Sequence, residues 1–319
     1  MYLLTNPFGE IWGKKDYCVH LDSIYILTLS NRPMPITDLN FLLQYSNEIV
    51  LLFSDKPANW TKNLSNTVRI ECVRSNIFSK EYLSRLENQN IAIKWRPNFD
   101  IPLKRSFALF DAKNKNFKNI LLLDDDILMS KGNMQAGLSG LTYNKALIGF
   151  HVTDYPDVST IDHIDRLIQK KDNIISMTGS CLFINVEQTI GDFPLIYNED
   201  LFFFMKQANP QNIVSGGTII QKEYTPWARL DRVKHEQFGD LIYEAFKKRF
   251  IGTDESVIKW EDEIILRLNR IKQLINKSYQ ETFKKSLCVA YEGTNEINTK
   301  DISEFIARYE FAAWVNKYL

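Results

Sequence analysis

Hydrophobic and polar positions follow two regimes along this chain. From about residue 23 to 225, short apolar runs are separated by stretches of helical period. Ile24–Thr28 is apolar and rich in β-branched residues, and stops at Ser30-Asn31-Arg32-Pro33. Ile49–Phe53 stops at Ser54-Asp55-Lys56-Pro57. Val68–Val73 alternates, with Val68, Ile70 and Cys72 on one side, and Ile91–Trp95 alternates again. Ile120–Leu123, Ala146–Phe150 and Cys181–Ile184 are continuous apolar runs. Such runs predict strands buried on both faces, as in a mostly parallel sheet. Between them, Pro102–Lys113 places Leu103, Phe107 and Phe110 on one helical face. Ser159-x-x-Asp162 predicts a capped helix with Ile161, Ile164, Leu167 and Ile168 on its buried side. After about residue 240 the pattern is helical only. Val257, Ile258, Ile264, Ile265, Leu268, Ile271 and Ile275 form one stripe, and Ile302, Phe305, Ile306, Tyr309 and Ala313 another.

Strand–helix alternation followed by helices predicts an α/β layered domain over residues 1–240 and a C-terminal helical extension over 241–319. Composition adds little to that picture but narrows the function. With 319 residues the chain can bury a sizeable core without staples. Lys+Arg and Asp+Glu are 39 each, and a net charge of zero argues against a dedicated nucleic-acid binder. Cys18, Cys72, Cys181 and Cys288 are scattered, with no CxxC pair, and read as reduced thiols of a cytoplasmic protein. Met1–Lys15 carries no basic-then-apolar leader pattern, and no apolar run is long enough for a membrane span. No strongly basic amphipathic helix demands a membrane surface, although peripheral association stays open.

Ligands of α/β folds sit outside the carboxyl ends of the strands, so the polar residues ending each run are the ones to weigh. Ile120-Leu-Leu-Leu runs straight into Asp124-Asp125-Asp126. Three adjacent carboxylates repel one another unless solvent or a cation compensates, and their oxygens suit Mg²⁺ or Mn²⁺. If the chain stays extended, Asp124 and Asp126 point to one side. The plain alternative is a solvated acidic turn. Farther along, Gly179-Ser-Cys-Leu-Phe-Ile-Asn precedes Asn198-Glu199-Asp200-Leu201. Asn198 reads as a helix cap, with Glu199 and Asp200 favouring the helix dipole. A carboxylate there is also placed to take a proton from a hydroxyl. His235 follows Asp200 by 35 residues, at the edge of the helical extension, and His151 follows an apolar run. A lone histidine is more often structural than a ligand.

In order and spacing these segments resemble a GT-A glycosyltransferase of the family 2 type, over about residues 22–240. The carrying residues are Leu27-Thr-Leu-Ser-Asn-Arg-Pro33, Ser54-Asp55, Lys104-Arg105-Ser106, the DxD motif Asp124–Asp126 and the ED motif Glu199-Asp200. The family's Asn-x-Gly pattern is reduced to Asn98–Arg105 without the glycine, and Gln-x-x-Arg-Trp is absent after the acid pair. The resemblance implies a Rossmann-like mixed sheet flanked by helices and transfer of a sugar from a UDP- or GDP-sugar to an acceptor hydroxyl. It implies that Thr28, Ser30 and Arg32 line the nucleotide, that Asp55 bonds the base, and that Arg105 faces the donor beside Asp124 and Asp125. Asp124 and Asp126, with His235, would hold Mn²⁺ or Mg²⁺. Asp200, next to Glu199, would be the base, inverting the anomeric centre if it stands behind that carbon.

Three alternatives remain at this stage. A haloacid dehalogenase-like phosphatase would use Asp124 as nucleophile, but Leu128 stands where that class wants Thr or Val. A nucleotidyltransferase would want glycines in Leu29–Pro33, which has none. A non-catalytic binding protein could keep the fold and present Tyr309, Phe311, Trp314 and Tyr318 as a partner surface, or the C-terminal helices could pair copies into a homo-oligomer.

Overall fold

The computed structural model describes residues 19–75, 95, 100–153, 158–170, 177–207, 209–223, 225–250, 256–309, 311 and 313–316. Cys18, Asn98 and residues 91–94 of the strand expected over Ile91–Trp95 lie outside the described residues, and Trp95 itself is not in a strand. Eight strands form one sheet in the order β3-β2-β1-β4-β7-β6-β8-β5. They are β1 (Ser23–Leu27), β2 (Ile49–Phe53), β3 (Val68–Cys72), β4 (Asn119–Asp124), β5 (Ile127–Leu128), β6 (Leu147–Thr153), β7 (Met177–Asn185) and β8 (Ile213–Gln221). The helices are α1 (Leu39–Leu42), α2 (Asp100–Asn114), α3 (Lys131–Thr142), α4 (Thr160–Gln169) and α5 (Glu199–Lys206). Five more follow: α6 (Leu230–Phe250), α7 (Trp260–Lys277), α8 (Glu281–Asn295), α9 (Thr299–Tyr309) and α10 (Ala313–Asn316).

The sheet is mixed. Strands β3, β2, β1 and β4 run parallel, while β7 is antiparallel to both β4 and β6. Strands β1, β2 and β7 are buried along their whole length, which is why their sequences are unbroken apolar runs. Register does the positioning. Leu27 pairs with Asp124, so β1 and β4 end together, and β7 begins at the edge where they stop.

Ser159 caps α4 by accepting from the Asp162 amide, as its spacing predicts. Phe110 and Leu167 depart from their stripes, at 40% and 46% exposure. Trp95 stacks on Phe238 of α6 at 5.5 Å between ring centroids.

A second core joins α5 to the C-terminal helices through Phe202, Phe238, Phe246, Phe305, Tyr309 and Phe311. Tyr309 and Phe311 therefore build core against Phe202 instead of an open aromatic face. The Trp314 side chain and Tyr318 lie outside the described residues. A third core packs α4 on α7 and α8 through Ile161, Ile164, Ile271, Leu274, Phe283 and Leu287. Among the described residues no helix is long and apolar enough to cross a membrane.

Between these cores Glu236 is fully buried and accepts from the Thr160 amide at 2.9 Å, satisfying the start of α4. Burial lifts its carboxyl to about 7, with Arg232 opposing. Between the ordinary 4.5 and 7 the folded chain holds a proton there that the unfolded chain lacks. The cost of a buried charge is therefore absent at low pH and present above 7. Glu236→Gln is expected to be more stable than the parent at pH 8, by on the order of 1 kcal/mol, with the gain shrinking towards pH 5.5. Urea denaturation at the two pH values checks this.

Candidate active site

The carboxyl ends of β1, β4 and β8 and the start of β7 open on one cleft of about 250 Å³. Its lining includes Thr28, Arg32, Lys104, Arg105, Asp124, Asp125, Asp126, Glu199 and Asp200. Residues more than seventy positions apart in the chain thus meet at one sheet edge, because the register aligns the strand ends.

The chain does not stay extended after Asp124. Strand β4 stops there and Asp125-Asp126 form a turn. The three carboxylates consequently face different partners. Asp124 takes the Arg105 guanidinium, with Nη2 at 3.3 and 3.4 Å from its two oxygens. Asp125 accepts from the Thr28 hydroxyl at 2.6 Å, and burial pushes its carboxyl above the usual range. Asp126 lies 3.8 Å from Arg32 Nη1, which is also 3.8 Å from Asp125, and accepts from Gln221 at 3.4 Å.

Arg105 joins the acid triad to the acid pair. Its Nη1 donates to Glu199 at 2.6 Å while Nη2 faces Asp124, and its side chain is only 4% exposed. A planar guanidinium meets the two carboxylates with two separate nitrogens, whereas an ammonium would have to reach both from one. Asp200 accepts from two amides, Gly179 and Leu201, the latter at 2.8 Å. Gly179 is required for this approach, since a Cβ there would stand 2.6 Å from Asp200 Cβ and 2.7 Å from Arg105 Nη1. Asn198 holds the cap position of α5 but differs from the expected cap. It is left-handed, at φ 65°, and its side chain makes no cap bond. It donates instead to Asp240 of α6 at 2.9 Å.

Helix α6 presses directly on this loop. A Cβ on Gly239 would fall 2.1 Å from the Tyr197 carbonyl oxygen, a contact with rigid backbone. Gly239→Ala is expected to destabilise the fold by about 1–3 kcal/mol, read by urea denaturation. An unchanged midpoint would show that α6 and the loop are not in that contact.

Lys104, which the sequence names in Lys104-Arg105-Ser106 but gives no role, is 2% exposed and its Nζ donates to the Thr28 carbonyl at 2.7 Å. Burial lowers it to about 8, with Asp100, Asp125 and Asp124 acting against that shift. Beyond that segment, the sequence signal for this role is a lysine inside an otherwise apolar helical turn. Ser30 is exposed and outside the cleft lining. Asp55 is also outside it, with its side chain 66% exposed and 3.5 Å from Arg74. The structure places His235 outside the lining too, with Nδ1 2.6 Å from the Asp231 carbonyl of its own helix. His151 is partly buried on β6, and burial lowers its imidazole.

Among the described residues no three His, Cys, Asp or Glu side chains converge as a metal shell. Asp124 and Asp126 nonetheless offer hard carboxylate oxygens to the cleft. Mg²⁺ characteristically takes one or two carboxylates, waters and a ligand's phosphate oxygens. The donor set therefore fits such a cation in company with a phosphate, and not as a protein-only cage.

No family model matches the chain, and no curated protein matches it. Among solved structures it is similar to a proposed nucleotide-diphospho-sugar transferase from Desulfovibrio desulfuricans G20. The two are 7% identical, the match covers 79% of this chain and 97% of that one, and the TM-score is 0.36. A likeness at that level establishes neither the family nor the activity of this chain.

Proposed function

We propose that this chain is a metal-dependent glycosyltransferase of the GT-A type. In this reading it moves a sugar from a nucleoside-diphosphate donor to an acceptor hydroxyl. The observation that carries the reading is the meeting, in one cleft, of the acid triad, the acid pair and the cations Arg32, Lys104 and Arg105. A diphosphate needs positive charge, and an acceptor hydroxyl needs a base. Thr28 and Arg32 stand where a nucleotide would lie at the ends of β1 and β4, the usual crevice of an α/β sheet. Asp124 and Asp126 would hold Mn²⁺ or Mg²⁺, which when bound stabilises the negative charge of a departing diphosphate.

The remaining chemistry falls to the chain's own residues. Asp200, fixed by two amides, takes the proton of the acceptor hydroxyl as that oxygen bonds to the anomeric carbon. The bond from that carbon to the phosphate oxygen breaks, and the nucleoside diphosphate leaves with the electron pair. With Asp200 behind the anomeric carbon the configuration inverts. Glu199 is tied to Arg105 and keeps that guanidinium across the cleft. The partners are a UDP- or GDP-sugar and a hydroxyl-bearing acceptor, and we place the reaction in the cytoplasm on the cysteine pattern.

The phosphatase alternative also uses Asp124, but three strands, β1 to β3, precede β4, whereas its nucleophile strand normally comes first. Incubation with UDP-glucose, UDP-N-acetylglucosamine and GDP-mannose plus Mn²⁺ separates the two. The transferase reading expects UDP or GDP to be released. Release of inorganic phosphate from p-nitrophenyl phosphate, with no nucleotide released, would replace it with the phosphatase.

A further inference from the structure

We infer that Asp240 is a positioning residue for the acid pair, held by Arg267 of α7 and acting through Asn198. The inference rests on the proposed function in taking Glu199-Asp200 as the reacting end of the cleft. A non-glycine residue at positive φ persists only where its surroundings hold it. At Asn198, whose φ is 65°, the holding bond is the one from its amide nitrogen to Asp240 Oδ1. Cap side chains ordinarily bond the first-turn amides. Here that task passes to Asp200 itself, which accepts from Leu201 and from Gly179. The direction of the Asp200 carboxylate therefore depends on a loop whose conformation is fixed from α6.

Asp240 is in turn fixed from the C-terminal helices. Its Oδ2 accepts from Arg267 Nη2 at 2.8 Å, and Arg267 is also paired with Glu244 at 2.7 Å and with Gln237 at 2.8 Å. Two donors, from the Asn198 loop and from α7, thus converge on one side chain. A carboxylate has only acceptors and can serve both, whereas an amide must turn its NH₂ towards one of them. Asp240 is buried and also lines the cleft. The chain Arg267–Asp240–Asn198 thus links the helical part to the acid pair through bonds of 2.8 and 2.9 Å.

Amide hydrogen exchange on the full chain tests this without a known substrate. The Gly179 and Leu201 amides report on Asp200, because both donate to it. Asn198→Gly keeps the left-handed backbone without strain and removes the side-chain bond. In this variant and in Asp240→Asn, exchange at both amides is expected to rise tenfold or more, while β4 amides stay as in the parent. Arg270→Gln is the control, since Arg270 pairs with Asp162, Asp165 and Glu244 and not with Asp240. It should leave both amides unchanged. Unchanged exchange in folded Asn198→Gly, or an equal rise in Arg270→Gln, would overturn the inference. If Asp240→Asn does not fold, Asn198→Gly decides alone. Titration of the parent with UDP and with GDP, each with Mn²⁺, run beside it, judges the proposed function separately: absent binding of both counts against that function, while the exchange result still decides the positioning role.

Discussion

Arg105→Met is expected to cost about 3–5 kcal/mol of stability, the largest effect of any single change in the cleft. The guanidinium is the shared partner of Asp124 and Glu199, whose side chains are only 16% and 11% exposed. Removing it leaves both carboxylates largely buried in an acid-rich cleft with Asp125, Asp126 and Asp200 close by. The midpoint of thermal unfolding should fall by on the order of 10 °C. Arg105→Lys should recover only part of this, since a single nitrogen replaces the two that face Asp124 and Glu199 separately. Adding Glu199→Gln to Arg105→Met should restore some stability by removing one stranded charge. Equal stability of Arg105→Met and the parent in urea denaturation would mean that the triad and the pair are not held together through this residue.

The second large effect is expected at Asp200, and on turnover instead of stability. Asp200→Asn removes the proton acceptor while its amide oxygen still accepts from one of the two backbone amides. Release of UDP or GDP from the nucleotide sugar that the parent turns over should fall by about 10²–10⁴-fold. Affinity for the nucleoside diphosphate should stay within about twofold, because no nucleotide contact is assigned to this side chain. A variant that turns over normally would move the base elsewhere in the cleft. A variant that also loses nucleotide affinity would give Asp200 a role in the donor site.

Parts of this arrangement are legible in the sequence, for a physical reason. An apolar run that ends in three carboxylates is a local pattern, and so is an acidic pair before Leu201-Phe202-Phe203. Both lie at the sheet edge where such patterns place them. The direction of β7 is not legible, because a strand buried on both faces is an unbroken apolar run whether its neighbours run parallel or antiparallel. Nor is the hold on Asn198, whose partner Asp240 is 42 residues away and is itself held from Arg267, a further 27 residues on. From the sequence Asn198 reads as an ordinary cap, since the residue type suits that role and only tertiary contact redirects its side chain. Lys104 is hidden for a similar reason: it occupies a helical position like any other lysine until Thr28 is brought above it. Tyr309 and Phe311 look like an open aromatic face from the sequence, and are core because α9 packs against Phe202.

The central claim is that the acid triad holds a divalent cation together with a nucleoside diphosphate. Calorimetric titration of UDP and of GDP, each with and without Mn²⁺, on the parent and on Asp126→Ala tests it most directly. The account predicts binding of one nucleotide that needs the metal and weakens at least 100-fold in the variant, equivalent to about 2.7 kcal/mol. The variant should be no less stable than the parent, since it relieves repulsion among adjacent carboxylates. Failure of folded parent protein to bind either nucleotide with Mn²⁺, or equal affinity in Asp126→Ala, would contradict the claim.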